Sequence, residues 1–527
     1  MAARQKILTQ LTAALPDAIL ISAGTPSTDT PITALAFDSR KVVPGTLFIA
    51  VPGEKHDGHA FVRGAVELGA VAVVIQSGRE AEFADLSVPR VVVPDTRRAM
   101  ALLAVAFYDN PSAKLHLAGV TGTNGKTTTA LMMESIARAA GDKTAYIGTL
   151  GFGIGGVLVE GERTTPEAIE LQAFLARCVE EGVTAVAMEV SSHALVTGRV
   201  AGCLFDVAVF TNLTQDHLDF HGTMEAYRDA KGLLFSEYAK AAKLAGKDYK
   251  AVINFNAGGN DYAKKVYDVF AGCDAKPVIS YSVDPIAFVS QDVTTSGSKE
   301  AQLFVDKIHY IAEVFYQNET SGKSIPVELA FGGTFNVENS LAAVGYGVAR
   351  KLSPEVIADG LRNCPPVPGR FQPVQAGQPY AVLVDYAHTP DGLDNVLRSA
   401  RPLTRGNLIT VFGCGGDRDK TKRPKMGHIA RDLSDIAIVT SDNPRTENPD
   451  AILDDVLAGM NGDVGATIHR EADRRKAIAL AVSLAKAGDT VVIAGKGHET
   501  YQIVGRETFP FDDVAVAREE IQRCSGL

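Results

Sequence analysis

The chain has 527 residues, more than a single hydrophobic core serves, so about three domains are expected. Its composition is that of an ordinary globular protein, 46% hydrophobic and 22% charged without Trp. No apolar run is long enough to span a bilayer, and the polar start Met1-Ala2-Ala3-Arg4-Gln5-Lys6 is not a secretory leader, so a cytoplasmic protein without membrane insertion is expected. A net charge of −10 argues against general nucleic-acid binding and leaves anionic ligands to local cationic pockets, for which Arg418, Lys420, Lys422, Arg423 and Lys425 form a candidate.

The first segment runs to about residue 112. It holds a predicted strand at Leu47–Val51, a helical pattern at Ala60–Leu68 and an apolar run at Val71–Ile75. Its distinctive pieces are Asp38-Ser39-Arg40 and His56-Asp57-Gly58-His59, and Asn110-Pro111-Ser112 reads as a linker. The second segment opens on the apolar run Leu115–Val120. The stretch Gly119-Val120-Thr121-Gly122-Thr123-Asn124-Gly125-Lys126-Thr127-Thr128-Thr129 follows, and then a helical pattern from Thr127 to Ala140 that stops at Gly141. Strand, glycine loop, Gly-Lys-Thr and helix make a phosphate cradle. The glycines admit backbone N–H groups to the oxygens, the helix N-terminus and Lys126 supply positive charge, and Thr127 offers a hydroxyl to Mg²⁺. Val120 stands where the strict nucleotide-loop pattern has its first Gly, and an ordinary strand-to-helix turn is the alternative.

Further strands are predicted at Thr184–Val190 and Val207–Phe210, each after a helical pattern, which implies a parallel sheet. From Ser280 to Leu329 short β-like pieces suggest a peripheral excursion, and a helix follows around Val337–Arg350. Cys364-Pro365-Pro366-Val367-Pro368-Gly369-Arg370 reads as a stiff hinge. Beyond it the third segment alternates again, with strands at Tyr380–Asp385, Leu408–Phe412, Ile436–Thr440 and Thr490–Ala494. A polar motif follows each strand: Asp385-Tyr386-Ala387-His388, Gly413 to Arg418, Ser441 to Arg445, and Gly495 to Glu499. In open α/β sheets ligands bind at the carboxyl ends of strands, so the four motifs suggest one site rim. The six cysteines (Cys178, Cys203, Cys273, Cys364, Cys414, Cys524) lack paired spacing and read as reduced, buried thiols rather than a zinc site or disulfide framework.

Several side chains carry chemical meaning by type and position. Glu189 ends an apolar strand, where a carboxylate is costly unless hydrogen-bonded or bound to a metal. His217, in the polar turn Thr211 to His221, is a candidate metal ligand or a capping histidine. Lys231, on a helical stretch from Tyr227 to Phe235, reads from its neighbours as a surface lysine. Arg445 follows a rigid Asp442-Asn443-Pro444 turn and suits bidentate binding of a carboxylate, or stands as a solvated loop arginine.

Together these residues resemble the Mur ligase family, the ATP-dependent amino-acid-adding enzymes of peptidoglycan precursor synthesis. The resemblance rests on the Thr-Gly-Thr-Asn-Gly-Lys-Thr loop, Glu189, Asp216-His217, Phe335-Asn336 with Asn339, Pro368-Gly369-Arg370, and Asp385 with His388. It spans nearly the whole chain, from Asp38 to Glu499. It implies three α/β domains: residues 1–112 binding the UDP end of the substrate, 113–366 binding ATP around a parallel sheet, and 367–527 a Rossmann-like domain binding the amino acid. Thr164-Thr165-Pro166, Ser191-Ser192-His193 and Arg199 are similar to motifs of the member acting on UDP-N-acetylmuramoyl-L-alanyl-D-glutamate. Asp442-Asn443-Pro444-Arg445 is similar to the signature of forms that add meso-2,6-diaminopimelate. The implied activity is ATP-dependent addition of that amino acid to the D-Glu side-chain carboxylate through an acyl phosphate, by a monomer. A lysine-adding form, a folylpolyglutamate synthase and a nucleotide-switched binding protein without ligase activity are the rivals.

The resemblance also implies residue roles. Gly122, Thr123, Asn124, Gly125, Lys126, Thr127 and Thr128 would hold the ATP phosphates. Asn336 and Asn339 would contact adenine, and Arg370, Asp385 and His388 the rest of the nucleotide. Thr127 and Glu189 would bind one Mg²⁺; Glu189, His217 and a carbamate on Lys231, formed from CO2 or bicarbonate as N6-carboxylysine, would surround a second. Lys126, Glu189, His217 and Lys231 would thus be catalytic. Ser39, His56, Thr164, Thr165, Ser191, Thr197 and Arg199 would hold the UDP-substrate. Arg418, Asp442, Asn443, Pro444, Arg445, Gly495 and Glu499 would hold diaminopimelate. The chain departs from the family at Thr197, often Gln; at Asn254-Phe255-Asn256, often acidic; and at Asn448, often acidic.

Overall fold

The computed structural model describes residues 4–22, 30–53, 56–254, 278–282, 293–297, 302–303, 308–316, 323–461 and 465–525. Cys273, Phe255 and Asn256 lie outside them. Three main sheets follow one another along the chain, each with its own hydrophobic core, as expected for an α/β protein of this length. The first has five strands in the order Ile19–Ile21, Arg90–Val93, Ala70–Gln76, Thr46–Ile49, Ala34–Ala36, all parallel but for the antiparallel edge strand Ile19–Ile21. Its core takes in Ala168 and Ile169 from the helix Ala168–Glu180 of the next segment, so the first two domains share an apolar seam.

Among the described residues the second sheet has 12 strands. At its centre His116–Thr121 lies between Ala185–Glu189 and Val207–Phe210, parallel to both. These strands are buried on both faces, and so their sequences are continuous apolar runs rather than alternating ones. The expected helix after the glycine loop spans Lys126–Ala139. The region from 280 to 329 is not a separate excursion. Val278–Ser282 and Val293–Gly297 extend the sheet in parallel, and Ile308–Tyr316 and Lys323–Leu329 continue it antiparallel. Short pieces with polar turns look peripheral in sequence, yet Ile279, Tyr281, Ala312, Ile325, Val327 and Leu329 are buried in the core of the central sheet.

Asn110-Pro111-Ser112, which joins the first two sheets, is a packed corner rather than a loose tether. Asp109 and Asn110 both have positive φ, a turn of 3-10 helix covers Pro111–Lys114, and buried Ser112 accepts a hydrogen bond from the Leu204 N–H at 3.1 Å. The third sheet has six strands in the order Gln372–Pro373, Ala381–Asp385, Thr490–Ala494, Leu408–Phe412, Ile436–Val439, Thr467–Arg470, parallel except at the first pair. Four of the five described cysteines are buried free thiols, whereas Cys524 is exposed at the end of the last helix. No helix among the described residues is long and apolar enough to cross a membrane.

Candidate functional site

The glycine loop takes its shape from close approach. Gly122 (φ 151°) and Gly125 (φ 83°) leave no room for a side chain: a Cβ would meet Thr211 Oγ1 at 1.9 Å and Asn339 Oδ1 at 2.2 Å respectively. Lys126 curls back over the loop, its Nζ donating to the carbonyls of Gly122 at 3.0 Å and Thr123 at 2.8 Å. Lys231 reaches the same Gly122 carbonyl at 2.8 Å from the helix Met224–Gly232. It is 1% exposed, with Nζ 4.3 Å from the centre of the Tyr227 ring, so the reading as a surface lysine is corrected. Burial holds both ammonium groups below the usual lysine range, Lys231 far below it, and the neighbouring charge of Lys126 pushes Lys231 further. The charges of Glu189 and Asp216 pull Lys126 the other way.

A cavity of about 310 Å³ opens beside this loop. Asn124, Gly125, Thr127 and Thr128 form one wall, Thr334, Phe335, Glu338 and Asn339 another, and Arg370, Asp385, Tyr386 and His388 of the third domain close it. Arg370 bridges the halves: a guanidinium nitrogen lies 3.4 Å from Thr127 Oγ1, and the group stacks on Tyr386 at 4.6 Å. The Asp385 carboxylate accepts from the N–H groups of Phe371 at 2.6 Å and Ala387 at 2.8 Å; burial outweighs these bonds and pushes its pKa up to about 6. His388 Nδ1 donates to the Tyr386 carbonyl at 2.8 Å, which leaves Nε2 as the acceptor of the neutral ring. Asn336 does not line the cavity. It is fully buried behind Asn339, accepting from the Asn339 Nδ2 at 2.8 Å and donating to the Gly332 carbonyl at 2.7 Å. Thr334 and Glu338 are wall residues that no motif reading singled out.

A second cavity of about 490 Å³ shares Tyr386, His388 and Thr389 with the first. The four polar motifs after the third-domain strands meet here: His388, Gly415 with Arg418, Asp442 with Asn443 and Arg445, and Gly495 with Glu499. The opposite wall is Gln215, Asp216, His217 and His193 of the central domain. Behind its lining residues Asp442, Asn443 and Glu499 lies a residue the site reading missed, Lys496. Fully buried, it donates to Asn443 Oδ1 at 3.0 Å and sits 3.4 Å from Asp442 Oδ1 and from Glu499 Oε2. Its only sequence signal was its place between Gly495 and Glu499. Pro444 shapes the turn without lining the cavity. Of the basic cluster, Arg418 and Lys422 face the cavity. Arg423 is instead buried in ion pairs with Glu447 and Asp455, Lys420 pairs with Glu447 at 3.0 Å, and Lys425 donates to Gln215. Asn448 caps the helix Pro449–Leu457 through the Asp450 N–H, a structural use that needs no charge.

Glu189 lines neither cavity. Its Oε1 accepts from Tyr146 at 2.7 Å and from the Thr149 N–H at 2.9 Å, its Oε2 from the Thr149 hydroxyl at 3.1 Å. Around it gather four of the predicted UDP-substrate residues. Thr164 meets Thr149 at 3.1 Å; Thr165 donates to the Glu189 carbonyl at 2.9 Å and accepts from the Ser191 N–H at 3.1 Å. Arg199 pairs at 3.1 Å with the buried Glu167, beside which Arg163 (3.7 Å) and Arg97 of the first domain (3.9 Å) also stand, both missed in the sequence. Thr197 donates to the His193 carbonyl at 2.7 Å. Ser39 and His56 stay on the first domain, Ser39 opening the turn Ser39–Lys41. In the same motif His59 is buried and structural, bonded to Asp57 at 2.7 Å and to the Gln76 N–H at 3.0 Å.

The predicted metal ligands are distributed: Thr127 lines the first cavity, His217 the second, and Glu189 and Lys231 are buried and line neither. Among the described residues no three His, Cys, Asp or Glu side chains form a metal cage. A hard cation that keeps waters and phosphate oxygens needs only one or two protein oxygens, and the Thr127 hydroxyl and Glu189 carboxylate supply that donor type, so the residues fit Mg²⁺.

A glycine-loop cradle walled by two domains defines a nucleotide-binding α/β protein with an adjoining polar site. Residues 31–108 match the Mur ligase family catalytic domain, 120–347 the Mur ligase middle domain, and 369–497 the Mur ligase glutamate ligase domain. The UDP-N-acetylmuramoyl-L-alanyl-D-glutamate--2,6-diaminopimelate ligase of Geobacillus thermodenitrificans is 47% identical over 493 residues, 93% of this chain and 95% of that one. A solved structure of a ligase of the same name superposes with a TM-score of 0.65 at 33% identity, covering 98% of this chain and 99% of the other. A Mycobacterium tuberculosis folylpolyglutamate synthase, solved with ADP and AMPPCP, shares the fold with a TM-score of 0.57, but at 16% identity over 80% of this chain. The chain belongs to the Mur ligase family.

Proposed function

We propose that this chain is the ATP-dependent ligase that adds meso-2,6-diaminopimelate to the D-Glu side-chain carboxylate of UDP-N-acetylmuramoyl-L-alanyl-D-glutamate, in peptidoglycan precursor synthesis. The observation that carries the reading is the pair of adjoining cavities. One is built on a phosphate loop. The other offers Arg418, Arg445 and Glu499, cationic and acidic groups, with the Asn443 amide beside them, a set suited to an amino acid with two carboxylates and two amines.

A carboxylate that attacks the γ-phosphate meets like charge. At about 4 Å and an effective dielectric near 20 the repulsion is roughly 4 kcal/mol, about three decades in rate. Lys126 is placed to offset it once phosphate displaces the loop carbonyls from its ammonium, and Arg370 adds charge from the third domain. Thr127 and Glu189 would hold Mg²⁺, which when bound supplies further neutralisation of the phosphate oxygens. His217 and a carbamate on Lys231 would join Glu189 around a second ion. An amine attacks CO2 only as the neutral base, losing a proton as the N–C bond forms, and the burial that lowers the Lys231 pKa favours that form. The product of the first step is an acyl phosphate. The diaminopimelate amine then attacks its carbonyl, and phosphate leaves as the amide forms.

Phosphate release tests the reading, with ATP, the UDP-linked dipeptide and either diaminopimelate or lysine. Release that requires the dipeptide and prefers diaminopimelate is expected. Preference for lysine would overturn the amino-acid assignment, and ATP binding without amide formation would overturn the ligase.

A further inference from the structure

Between the two cavities lies a contact that belongs to neither. Asp391 is the second residue of the helix Pro390–Ala400 and lines neither cavity, although Thr389 lines both and Pro390 and Gly392 one each. Its Oδ2 accepts from Asn124 Nδ2 at 2.7 Å, Thr214 Oγ1 at 3.1 Å and Asn395 Nδ2 at 3.2 Å. The first two donors belong to the central domain. Asn124 is otherwise committed to its own domain: its N–H donates to Asn212 Oδ1 at 2.9 Å and its carbonyl accepts from Thr211 at 2.6 Å. Its side-chain amide is the part that reaches across. Asn124 lines the nucleotide cavity, and Thr214 immediately precedes Gln215, Asp216 and His217 on the wall of the second. One carboxylate therefore grips an edge of each cavity from the opposite domain. Burial, and the nearby charge of Asp394, raise the Asp391 pKa, while the bonds from Thr214 and Asn124 and its place in the first turn of an 11-residue helix favour the carboxylate.

We propose that Asp391 is a positioning residue for ligation: it clasps the third domain onto the glycine loop so that the amine site faces the acyl phosphate, without touching either reactant. The proposal rests on the ligase reading above. Loss of the clasp leaves both half-sites chemically intact but lets their walls part. The acyl phosphate then has two fates. Attack by the amine gives amide, phosphate and a proton; attack by water returns the starting carboxylate and phosphate. The signature of a lost clasp is phosphate released in excess of amide formed.

The test uses the full chain and measures kcat, the KM of each substrate and the ratio of phosphate to amide, alongside thermal melts. Asp391→Ala is expected to lower kcat for ligation by about ten- to a hundredfold and to raise the ratio above that of the wild type, with the KM for ATP changed by less than about threefold. Asp391→Asn keeps an oxygen that accepts from Asn124 and Thr214, and is expected to stay within about threefold of wild type in kcat with an unchanged ratio. An Asp391→Ala enzyme with wild-type kcat and ratio overturns the clasp, as does an equal loss in both variants with the ratio unmoved. Should Asp391→Ala fail to fold, Thr214→Val removes one arm of the contact and is expected to raise the ratio by itself; no rise overturns the proposal. A wild-type enzyme that joins no diaminopimelate would instead count against the underlying functional reading.

Discussion

Arg445 holds a left-handed backbone conformation, φ 51°, which a bulky residue keeps only where its surroundings fix it. Here the hairpin Tyr501–Val504/Glu507–Pro510 does so: the Arg445 N–H donates to Ile503 at 3.1 Å and its carbonyl accepts from Gly505 at 2.8 Å, while the guanidinium donates to Gly416 at 2.9 Å. The side chain is thereby aimed into the second cavity, the proposed amino-acid site; the distal carboxylate is what separates diaminopimelate from lysine. Losing one member of a buried charged pair costs about 2–5 kcal/mol, so Arg445→Ala should lower kcat/KM for diaminopimelate by roughly 30-fold to several thousandfold and leave the weak use of lysine nearly unchanged. Steady-state kinetics with the two amino acids check this. Lys231 supports a second expectation. Lys231→Arg keeps a long nitrogen-bearing side chain but cannot take up CO2, so ligation should fall to a small fraction of wild type and not recover with bicarbonate; full activity without bicarbonate would exclude the carbamate. The motif residues were legible because their types announce chemistry. The burial of Lys231 was not, because it depends on a glycine loop more than a hundred residues away, and Tyr227, one turn earlier on its own helix, does not signal that contact.

At the level of elements, the parallel strands and the glycine loop were readable from continuous apolar runs that end in polar turns. The segments that misled are those where packing rather than pattern decides. Asn110–Ser112 has linker composition yet is a buried corner, and the pieces after 278 look peripheral yet prolong the central sheet. The Pro-rich stretch before Gly369, predicted as a hinge, is packed at its far end. Cys364 and Val367 are buried, and the Gly369 carbonyl accepts from the Tyr386 N–H at 2.8 Å, so the far end of the presumed hinge is locked to the third domain and any rotation must occur before it. Gly369 has φ 65°, and a Cβ there would meet the His498 nitrogen at 2.1 Å and the Gly497 carbonyl carbon at 2.3 Å. Both neighbours are backbone and cannot swing aside. Gly369→Ala should therefore destabilise the third domain by about 2–4 kcal/mol, a fall of about 5–15 °C in its melting transition. Calorimetry on the full chain measures this, and an unshifted transition would mean that the turn is free to adapt.

Across the whole molecule, function depends on surfaces that no single domain possesses. The nucleotide cavity takes one wall from residues 124–128 and another from 385–388, and Arg370 links them through Thr127 and Tyr386. That three domains exist followed from length and texture. That the ends of the third sheet face the glycine loop did not, because contacts such as Asn124 with Asp391 join residues 267 positions apart by side chains common in any loop. A bound nucleotide should accordingly stabilise both walls together. At a hundredfold excess over its Kd, a non-hydrolysable ATP analogue contributes about 2.7 kcal/mol to the folded state. Hydrogen exchange should then slow at residues 122–128 and, in parallel, at 386–395. Arg370→Ala removes the cation that spans the two walls, so it should keep the slowing at the glycine loop and lose much of it in the third domain. If wild-type protection is confined to the glycine loop, the third domain does not close on nucleotide alone, and the second wall forms only when the remaining substrates bind.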